Sequence, residues 1–125
     1  MKRGEVYLGE LEPRSGSELR GRRPVVVLSN DLFNSAPAWR SVIVVPLSTS
    51  GRQAARGPTA VPVPAGVSGL RHDSVALCHQ VTTLDRAKLG ACLGALAPAT
   101  LAAVEAGLCV AMELLQGGPS PPSLP

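Results

Sequence analysis

The distribution of apolar and polar side chains along the first half of the chain predicts three β-strands. Residues 4–11, GEVYLGEL, alternate with the period of two that is typical of a strand buried on one face. Residues 25–30, VVVLSN, contain a continuous β-branched run, which indicates a strand buried on both faces, and residues 41–47, SVIVVPL, indicate another apolar strand. Pro24 has no amide donor, so we expect it at the first position of the second strand.

The second half of the chain predicts further short strands. Residues 59–64, TAVPVP, contain two prolines and can form only an edge or irregular strand. Residues 74–84, SVALCHQVTTL, are typical of one long strand or of two bent ones. Asp85 is expected to cap a single turn, and a last short strand is expected at residues 90–96, GACLGAL.

A helix is predicted from Pro98, because proline is accepted in the first turn of a helix. Its apolar side chains recur at helical spacing on one face: Leu101, Val104, Leu108, Met112 and Leu115. Gly117 and Gly118 are expected to end the helix, and residues 117–125 are expected to form a disordered tail rich in Gly, Pro and Ser. Five to seven short strands and one amphipathic C-terminal helix predict a mainly β, strongly curved barrel, with residues 1–116 as a single domain.

Composition is that of a globular protein rather than of a disordered or membrane-spanning chain. The chain has 125 residues, 45% of them hydrophobic and 17% charged, and its apolar runs are too short to span a bilayer. Three cysteines without a CxxC motif, and no apolar stretch at the N-terminus, favour a reducing cytoplasm. Small apolar neighbours predict that all three cysteines are buried. His72 and His79 have no companions at metal-ligand spacing, so no metal site is expected.

Positive charge is concentrated in the first half of the chain. The net charge is only +3, but ten of the twelve basic residues are arginine. Seven arginines lie between residues 13 and 59: Arg14, Arg20, Arg22, Arg23, Arg40, Arg52 and Arg56. The same stretch holds two carboxylates, Glu18 and Asp31. Such a cluster favours a polyanionic partner, namely RNA, DNA or an acidic peptide, while the simpler interpretation is a solvated surface.

Four ordered motifs carry a resemblance to a known family. They are KRGEVYL at 2–8, GSELRGRRPVVVLSND at 16–31, VVPLSTS at 44–50 and DSVALCHQVTTLDRAKL at 73–89. In this order and spacing the chain resembles the MazF/PemK toxins. The resemblance implies an SH3-like barrel, a homodimer, and an endoribonuclease that cuts single-stranded RNA at short sequences without a metal or other cofactor. It also implies a cognate acidic antitoxin that blocks the RNA groove.

The resemblance assigns three candidate catalytic residues. Arg23, just before the proline of the second strand, matches the family's catalytic arginine. Ser48 matches a position that is typically threonine, and Thr49 is the alternative hydroxyl. Glu18 matches the acidic residue of the GSE motif. RNA cleavage without a metal uses the 2′-hydroxyl as nucleophile, which requires proton transfer and stabilisation of charge on the phosphate. An arginine fork suits that charge, whereas its high pKa argues against a role as general acid.

Further candidates are a possible proton-transfer residue, His79, and a set of RNA-binding residues. The proposed RNA contacts are Arg14, Arg20, Arg22, Arg52, Arg56, Trp39 and Gln80. His79 has an apolar context that also fits an ordinary strand histidine, and Glu18 could act as a base or could orient Arg23. Two other functions stay open at this point: a gyrase-poisoning toxin with the same barrel, and a barrel that binds RNA or a peptide without chemistry.

Overall fold

The computed structural model describes residues 1–12, 16 and 21–114. The strands are β1 (Glu5–Glu10), β2 (Arg22–Val27), β3 (Ser41–Ser48), β4 (Ala60–Val63), β5 (Ser74–Leu77), β6 (Thr82–Asp85) and β7 (Leu89–Ala95). The helices are α1 (Asp31–Asn34), α2 (Gly51–Ala54) and α3 (Pro98–Met112), with 3₁₀ turns at Cys78–Gln80 and Arg86–Lys88. The predicted tail, residues 117–125, lies outside the described residues.

The seven strands form one antiparallel, curved sheet organised around β3. The strand order is β4-β5-β3-β2-β1-β7, and β6 also pairs with β3. β5 pairs with the end of β3, at Leu47 and Ser48, whereas β6 pairs with its beginning, at 41–44. The turn Cys78–Gln80 therefore divides the predicted 74–84 segment into two bent strands. The mainly β fold with a C-terminal helix is confirmed, and β4 is an edge strand as predicted.

Two apolar clusters occupy the two faces of the β2–β3 pair. The first lies beneath α3 and includes Val26, Val45 and Val104. The second is formed by Leu11, Val25, Val27, Val42, Val44 and Leu84. Successive residues of a strand point to opposite faces, so the valine runs feed both clusters in turn. The prediction that the valine run of β2 is buried on both faces is confirmed, whereas Ile43 of β3 is 42% exposed.

The C-terminal helix packs closely on the sheet at Gly107. A Cβ built there would lie 2.7 Å from Cys78 Sγ and 2.8 Å from Val61 Cγ2, so this position needs glycine for the close approach. Val104 is buried, and Leu101 and Leu108 are partly buried, as the helical spacing predicts.

The end of α3 differs from the prediction. The helix ends at Met112, which is exposed, and not at Gly117 and Gly118. Glu113 adopts the left-handed conformation at φ 56°, and the amide of Leu114 donates to the carbonyl of Cys109. These are the features of a Schellman motif, which ends a helix by satisfying its last carbonyls and here uses no glycine. Leu115 lies outside the described residues.

Other boundaries shift by a few residues. β2 begins at Arg22, so Pro24 occupies its third position rather than its first. Pairing of β2 with β3 begins only at Val25, and Pro24 is therefore at a position where a missing amide is tolerated. Cys78 is buried as predicted, but the same prediction is wrong for Cys92, which is exposed on β7.

Candidate active site

Two of the predicted catalytic residues meet at one end of the β2–β3 pair. The register pairs Val25 with Pro46 and Val27 with Val44. This pairing ends at Val25 and Pro46, and Arg23 and Ser48 each lie two residues beyond that last pair. Residues two apart on a strand share a face of the sheet, so Arg23 is on the face of Val25 and Ser48 on the face of Val44, both of the second cluster. Arg23 is half-buried at this strand end.

The residue opposite Arg23 on the neighbouring strand β1 is Gly9. A Cβ at Gly9 would lie 3.1 Å from a methyl carbon of Val25 and 3.4 Å from one of Leu84, so these two side chains pack closely over Gly9. Arg23 therefore has no side chain from its direct partner on β1 beside it.

The Ser48 hydroxyl is held in place by the chain that follows it. Ser48 is 6% exposed, and its Oγ accepts a hydrogen bond from the amide of Ser50 at 3.1 Å. Ser50 in turn caps α2, because its Oγ accepts from the amide of Gln53 at 3.3 Å. The Ser50 amide occupies one acceptor site of the hydroxyl, which leaves the proton of Ser48 to be donated elsewhere.

Thr49, the alternative hydroxyl, lies on the other face of the strand end. It is exposed and lines a cavity of about 290 Å³ together with Pro24 and Leu70. Adjacent strand residues point to opposite faces, so Thr49 sits with Pro24 and away from Arg23. By placement, Ser48 rather than Thr49 shares a face with Arg23.

His79 lies farther from this strand end and is held neutral. Val75 is opposite Ser48, and His79 follows it by four residues, on the order of 10 Å along the chain. His79 is exposed, and Thr59 Oγ1 lies 3.4 Å from its Nδ1. Partial burial, and then the positive charge of Arg56, lower the pKa of His79 below its usual 6.5. This lowered pKa favours the neutral imidazole. Gln80, the next residue, is half-buried.

The predicted RNA-binding arginines fall into three groups. Arg52 in α2 and Arg56 after it are exposed on the segment that follows Ser48. Arg22 is exposed and lies on the opposite face of β2 from Arg23, opposite Glu10 of β1. Arg14, Arg20 and the predicted carboxylate Glu18 lie outside the described residues.

Trp39 is not brought to Arg23 and Ser48. It precedes the first residue of β3, whereas Ser48 is the last, so about 23 Å of strand separate the two ends. Its ring stacks on Phe33 with centroids 4.5 Å apart, and 47% of Trp39 is exposed.

Sequence reasoning missed the structural role of Arg86 at that far end. The three nitrogens of its guanidinium donate to four backbone carbonyls, those of Phe33, Asn34, Ala36 and Trp39, at 3.0–3.1 Å. Arg40, counted with the cationic cluster, is paired there with Asp85 at 2.8 Å. The only signal was the position of Arg86 in the motif at 73–89, and that motif does not reveal which carbonyls need a donor.

No helix in residues 1–12, 16 and 21–114 has the length and apolar character to cross a membrane. In that same part of the chain, no three side chains of His, Cys, Asp or Glu gather as a set of metal ligands.

Comparison with known proteins identifies the class of protein. Residues 2–112 match the family model for the PemK-like, MazF-like toxins of type II toxin-antitoxin systems. The chain that matches this toxin family folds as a small antiparallel barrel. Its half-buried Arg23 and buried Ser48 lie at one strand end. The chain belongs to the PemK/MazF family.

Individual relatives and solved structures match 71–92% of this chain. Endoribonuclease MazF of Staphylococcus epidermidis is 35% identical over 114 residues, 91% of this chain and 92% of the relative. Endoribonuclease EndoA of Bacillus subtilis is 39% identical over 89 residues, 71% and 74% of the two chains. A mycobacterial endoribonuclease solved with its cognate antitoxin has a TM-score of 0.71 at 28% identity, covering 92% of this chain and 97% of its own. MazF from Deinococcus radiodurans has a TM-score of 0.75 at 25% identity, covering 91% and 97%.

Proposed function

We propose that this MazF-family endoribonuclease toxin cleaves single-stranded RNA, including mRNA, at short sequences and without a metal. The 2′-hydroxyl attacks the adjacent phosphorus, the bond to the 5′-oxygen breaks, and the products are a 2′,3′-cyclic phosphate and a 5′-hydroxyl. The observation that supports the proposal is that β2 and β3 pair as far as Val25 and Pro46, which leaves Arg23 and Ser48, each two residues farther on, at the same strand end. The relatives named endoribonucleases support the same class of reaction.

In this mechanism Arg23 binds the phosphate as it gains charge. A guanidinium presents a planar fork of donors that matches two phosphate oxygens, and donors placed before the reaction stabilise the developing charge without reorganisation. Ser48 donates its hydroxyl proton to a non-bridging oxygen. Because the RNA supplies its own nucleophile, Ser48 does not attack and no covalent enzyme intermediate forms.

Proton transfer requires a group other than Arg23. Arginine does not deprotonate in proteins, so it is a poor source of the proton that the 5′-oxygen takes up. We assign the base that accepts the 2′-hydroxyl proton to Glu18, on the family motif alone. His79 is the alternative for this step, because a neutral imidazole can accept a proton.

Exposed arginines near the site attract and position the RNA. Arg22, Arg52 and Arg56 are exposed, and we assign the same role to Arg14 and Arg20. Contacts of this kind release counterions and steer the polyanion, but they carry no sequence information. Gln80 is half-buried and offers an amide for a base edge. Trp39, at the far end of β3, would reach only RNA distant from the scissile bond.

Two protein partners follow from the same surfaces. Solved relatives include an endoribonuclease in complex with its cognate antitoxin and complexes titled MazE-MazF. We therefore expect an acidic, MazE-like antitoxin that covers the cationic strand end and blocks RNA. We also expect a homodimer, since α3 and the residues after it expose Val110, Met112 and Leu114. The expected site of action is the cytoplasm, where mRNA is found.

The test is incubation of the purified protein with a long RNA in EDTA. The expected result is discrete fragments with cyclic phosphate ends and 5′-hydroxyl ends that polynucleotide kinase labels directly. Arg23→Ala should slow cutting by about 10²–10³-fold, and Arg40→Ala at the other end of β3 is the matched control that should cut as the wild type does. Intact RNA together with loss of gyrase supercoiling would instead identify a gyrase poison, and intact RNA with a gel shift would identify a non-catalytic binder.

A further inference from the structure

A second cavity lies at the same strand end as Arg23 but on the other face of the sheet. It has a volume of about 360 Å³, the size range of small-ligand sites. Its lining residues are Leu8, Glu10, Arg22, Ala87, Lys88, Gly90 and Ala91. Arg22 and Arg23 are consecutive in β2, and their side chains therefore point to opposite faces. An RNA strand that crosses this end of the sheet passes from Arg23 to the mouth of this β1–β7 cavity.

The floor of the β1–β7 cavity is a β-bulge. Tyr7 pairs with Cys92 and Gly9 pairs with Leu89, so two residues of β7, Gly90 and Ala91, face the single residue between Tyr7 and Gly9. A bulge leaves part of the backbone outside the ladder of hydrogen bonds, and bulges are frequent beside active sites. A Cβ at Gly90 would lie only 3.3 Å from the carbonyl oxygen of Leu8. The floor is therefore flat, carries small side chains and offers backbone polar groups.

The rim of the β1–β7 cavity combines one carboxylate with two cations. Glu10 Oε1 accepts a hydrogen bond from the amide of Glu12 at 3.0 Å, which orients the carboxylate and leaves its second oxygen as an acceptor. Lys88 Nζ donates to the carbonyl of Glu12 at 2.7 Å. Arg22 lies opposite Glu10 in the strand register.

This combination of charges suits a nucleotide better than a simple anion. Glu10 would repel an isolated anion, whereas a neutral base linked to a phosphate satisfies all three groups. The phosphate contacts Arg22 and Lys88, and the base edge contacts Glu10. A carboxylate accepts hydrogen bonds and does not donate them, so it matches the amino groups of cytosine, adenine or guanine. Uracil flanks its one N–H with two carbonyl oxygens, which a carboxylate repels.

We propose that the β1–β7 cavity holds one base of the RNA beside the scissile phosphate and that Glu10 selects a base with an amino group over uracil. This inference rests on the proposed endoribonuclease activity and adds the residue that reads one position of the cleavage sequence. Glu10 is a specificity-determining residue here and takes no part in the bond-making steps.

The experiment compares Glu10→Gln with the wild type on a pool of RNAs in which the nucleotides around a cleavage site vary. The wild type is expected to prefer amino-bearing bases over uracil at one flanking position by about tenfold, the usual size of such a contact. Glu10→Gln keeps the oxygen that accepts from Glu12 but adds a donor, so uracil should be accepted and the preference should disappear. Glu12→Gln, an exposed neighbour outside the cavity, is the matched control and should behave as the wild type.

A second variant blocks the cavity without touching its charges. Ala91→Leu should raise KM about tenfold, remove the preference at the same position and leave Tm unchanged, and it provides the answer should Glu10→Gln fold poorly. Unchanged base preference in both variants, with RNA still cut, would overturn this inference alone. Failure of the wild type to cut any RNA would overturn the proposed function, and the inference with it.

Discussion

An arginine lies near each end of β3, but the two side chains have different surroundings. At the beginning of β3 Arg86 donates to four backbone carbonyls of the 33–39 segment, and each of its three nitrogens is engaged. Near the end of β3 Arg23 is half-buried opposite Gly9 of β1, and the exposed Arg52 and Arg56 follow Ser48 along the chain. Arg86 therefore maintains a loop, whereas Arg23 lies in the region where we propose that RNA binds.

The end with Arg86 is supported by a buried polar network as well. Asn34 is 3% exposed, and its amide donates to the carbonyl of Ser29 and to Asp31. Ser29 Oγ donates to the amide oxygen of Asn34 at 2.6 Å. These bonds and those of Arg86 hold the short helix α1 and the stacked pair of Phe33 and Trp39. These contacts give the beginning of β3, far from Ser48, a structural role.

The largest expected effect is the loss of RNA cleavage in an Arg23 variant, which distinguishes Arg23 from Arg86. Arg23→Ala should reduce the rate of RNA cleavage by about 10²–10³-fold, the usual loss when one donor to a developing negative charge is removed. Its Tm should stay within a few degrees of the wild type, because the side chain lies at a strand end outside both apolar clusters. Cleavage assays and thermal unfolding on the same preparation measure both. If this variant does not fold, Arg23 has a structural role like that of Arg86, and the two arginines do not differ in function.

The converse change should act on stability. Arg86→Ala removes a charged donor from four carbonyls and should lower the free energy of unfolding by about 2–4 kcal/mol. Cleavage per folded molecule should be preserved below the new Tm. Urea unfolding gives the first quantity, and cleavage at low temperature gives the second. Arg40→Ala breaks only an exposed ion pair and serves as the control, with an expected loss of about 1 kcal/mol or less. A selective loss of cleavage in Arg86→Ala would contradict the structural assignment.

A smaller effect is expected at Ser48. Ser48→Ala should slow cleavage by about tenfold, less than Arg23→Ala, because a neutral hydroxyl donor is lost while the charged guanidinium of Arg23 stays in place. Ser48→Thr retains the hydroxyl and should cleave within a few-fold of the wild type, and Thr49→Ala should have no effect on the rate. Single-turnover kinetics distinguish the three variants. A larger defect in Thr49→Ala than in Ser48→Ala would move the functional hydroxyl to the other face.

The smallest effect concerns acid stability at the Arg86 end. Hydrogen bonds from Asn34 and from the amide of Arg3 lower the pKa of Asp31 below its usual value of 3.8. A carboxyl with a lowered native pKa stabilises the fold above its unfolded pKa and loses that contribution as the pH falls through the native pKa. Tm should therefore decline less steeply below pH 4 in Asp31→Asn than in the wild type. Identical slopes would show that Asp31 does not contribute.

The strands were predictable from the sequence because their apolar side chains follow patterns that are typical of strands buried on one face or on both. The valine runs of β2 and β3, the two-proline edge strand β4 and the bend within 74–84 follow from local patterns. The end of α3 was not predictable, because Glu113 adopts a left-handed conformation that sequence statistics reserve for glycine. The candidate site also has a part that the sequence predicts and a part that it does not. The motif spacing points to Arg23 and Ser48, whereas the pairing that puts Gly9 beside Arg23, or Glu10 beside Arg22, depends on a register that only the folded sheet defines.

The contact between Gly107 and Cys78 makes this thiol a reporter for the helix above it. Burial raises the pKa of Cys78 to about 11, and the helix backbone leaves no room for an added group on the sulfur. Alkylation of Cys78 thus requires α3 to lift from the sheet, while the exposed Cys92 reacts in the native state and supplies an internal reference. The ratio of the labelling rates of Cys78 and Cys92 measures how often α3 separates from the sheet. A ligand that holds α3 against the sheet should slow the labelling of Cys78 alone.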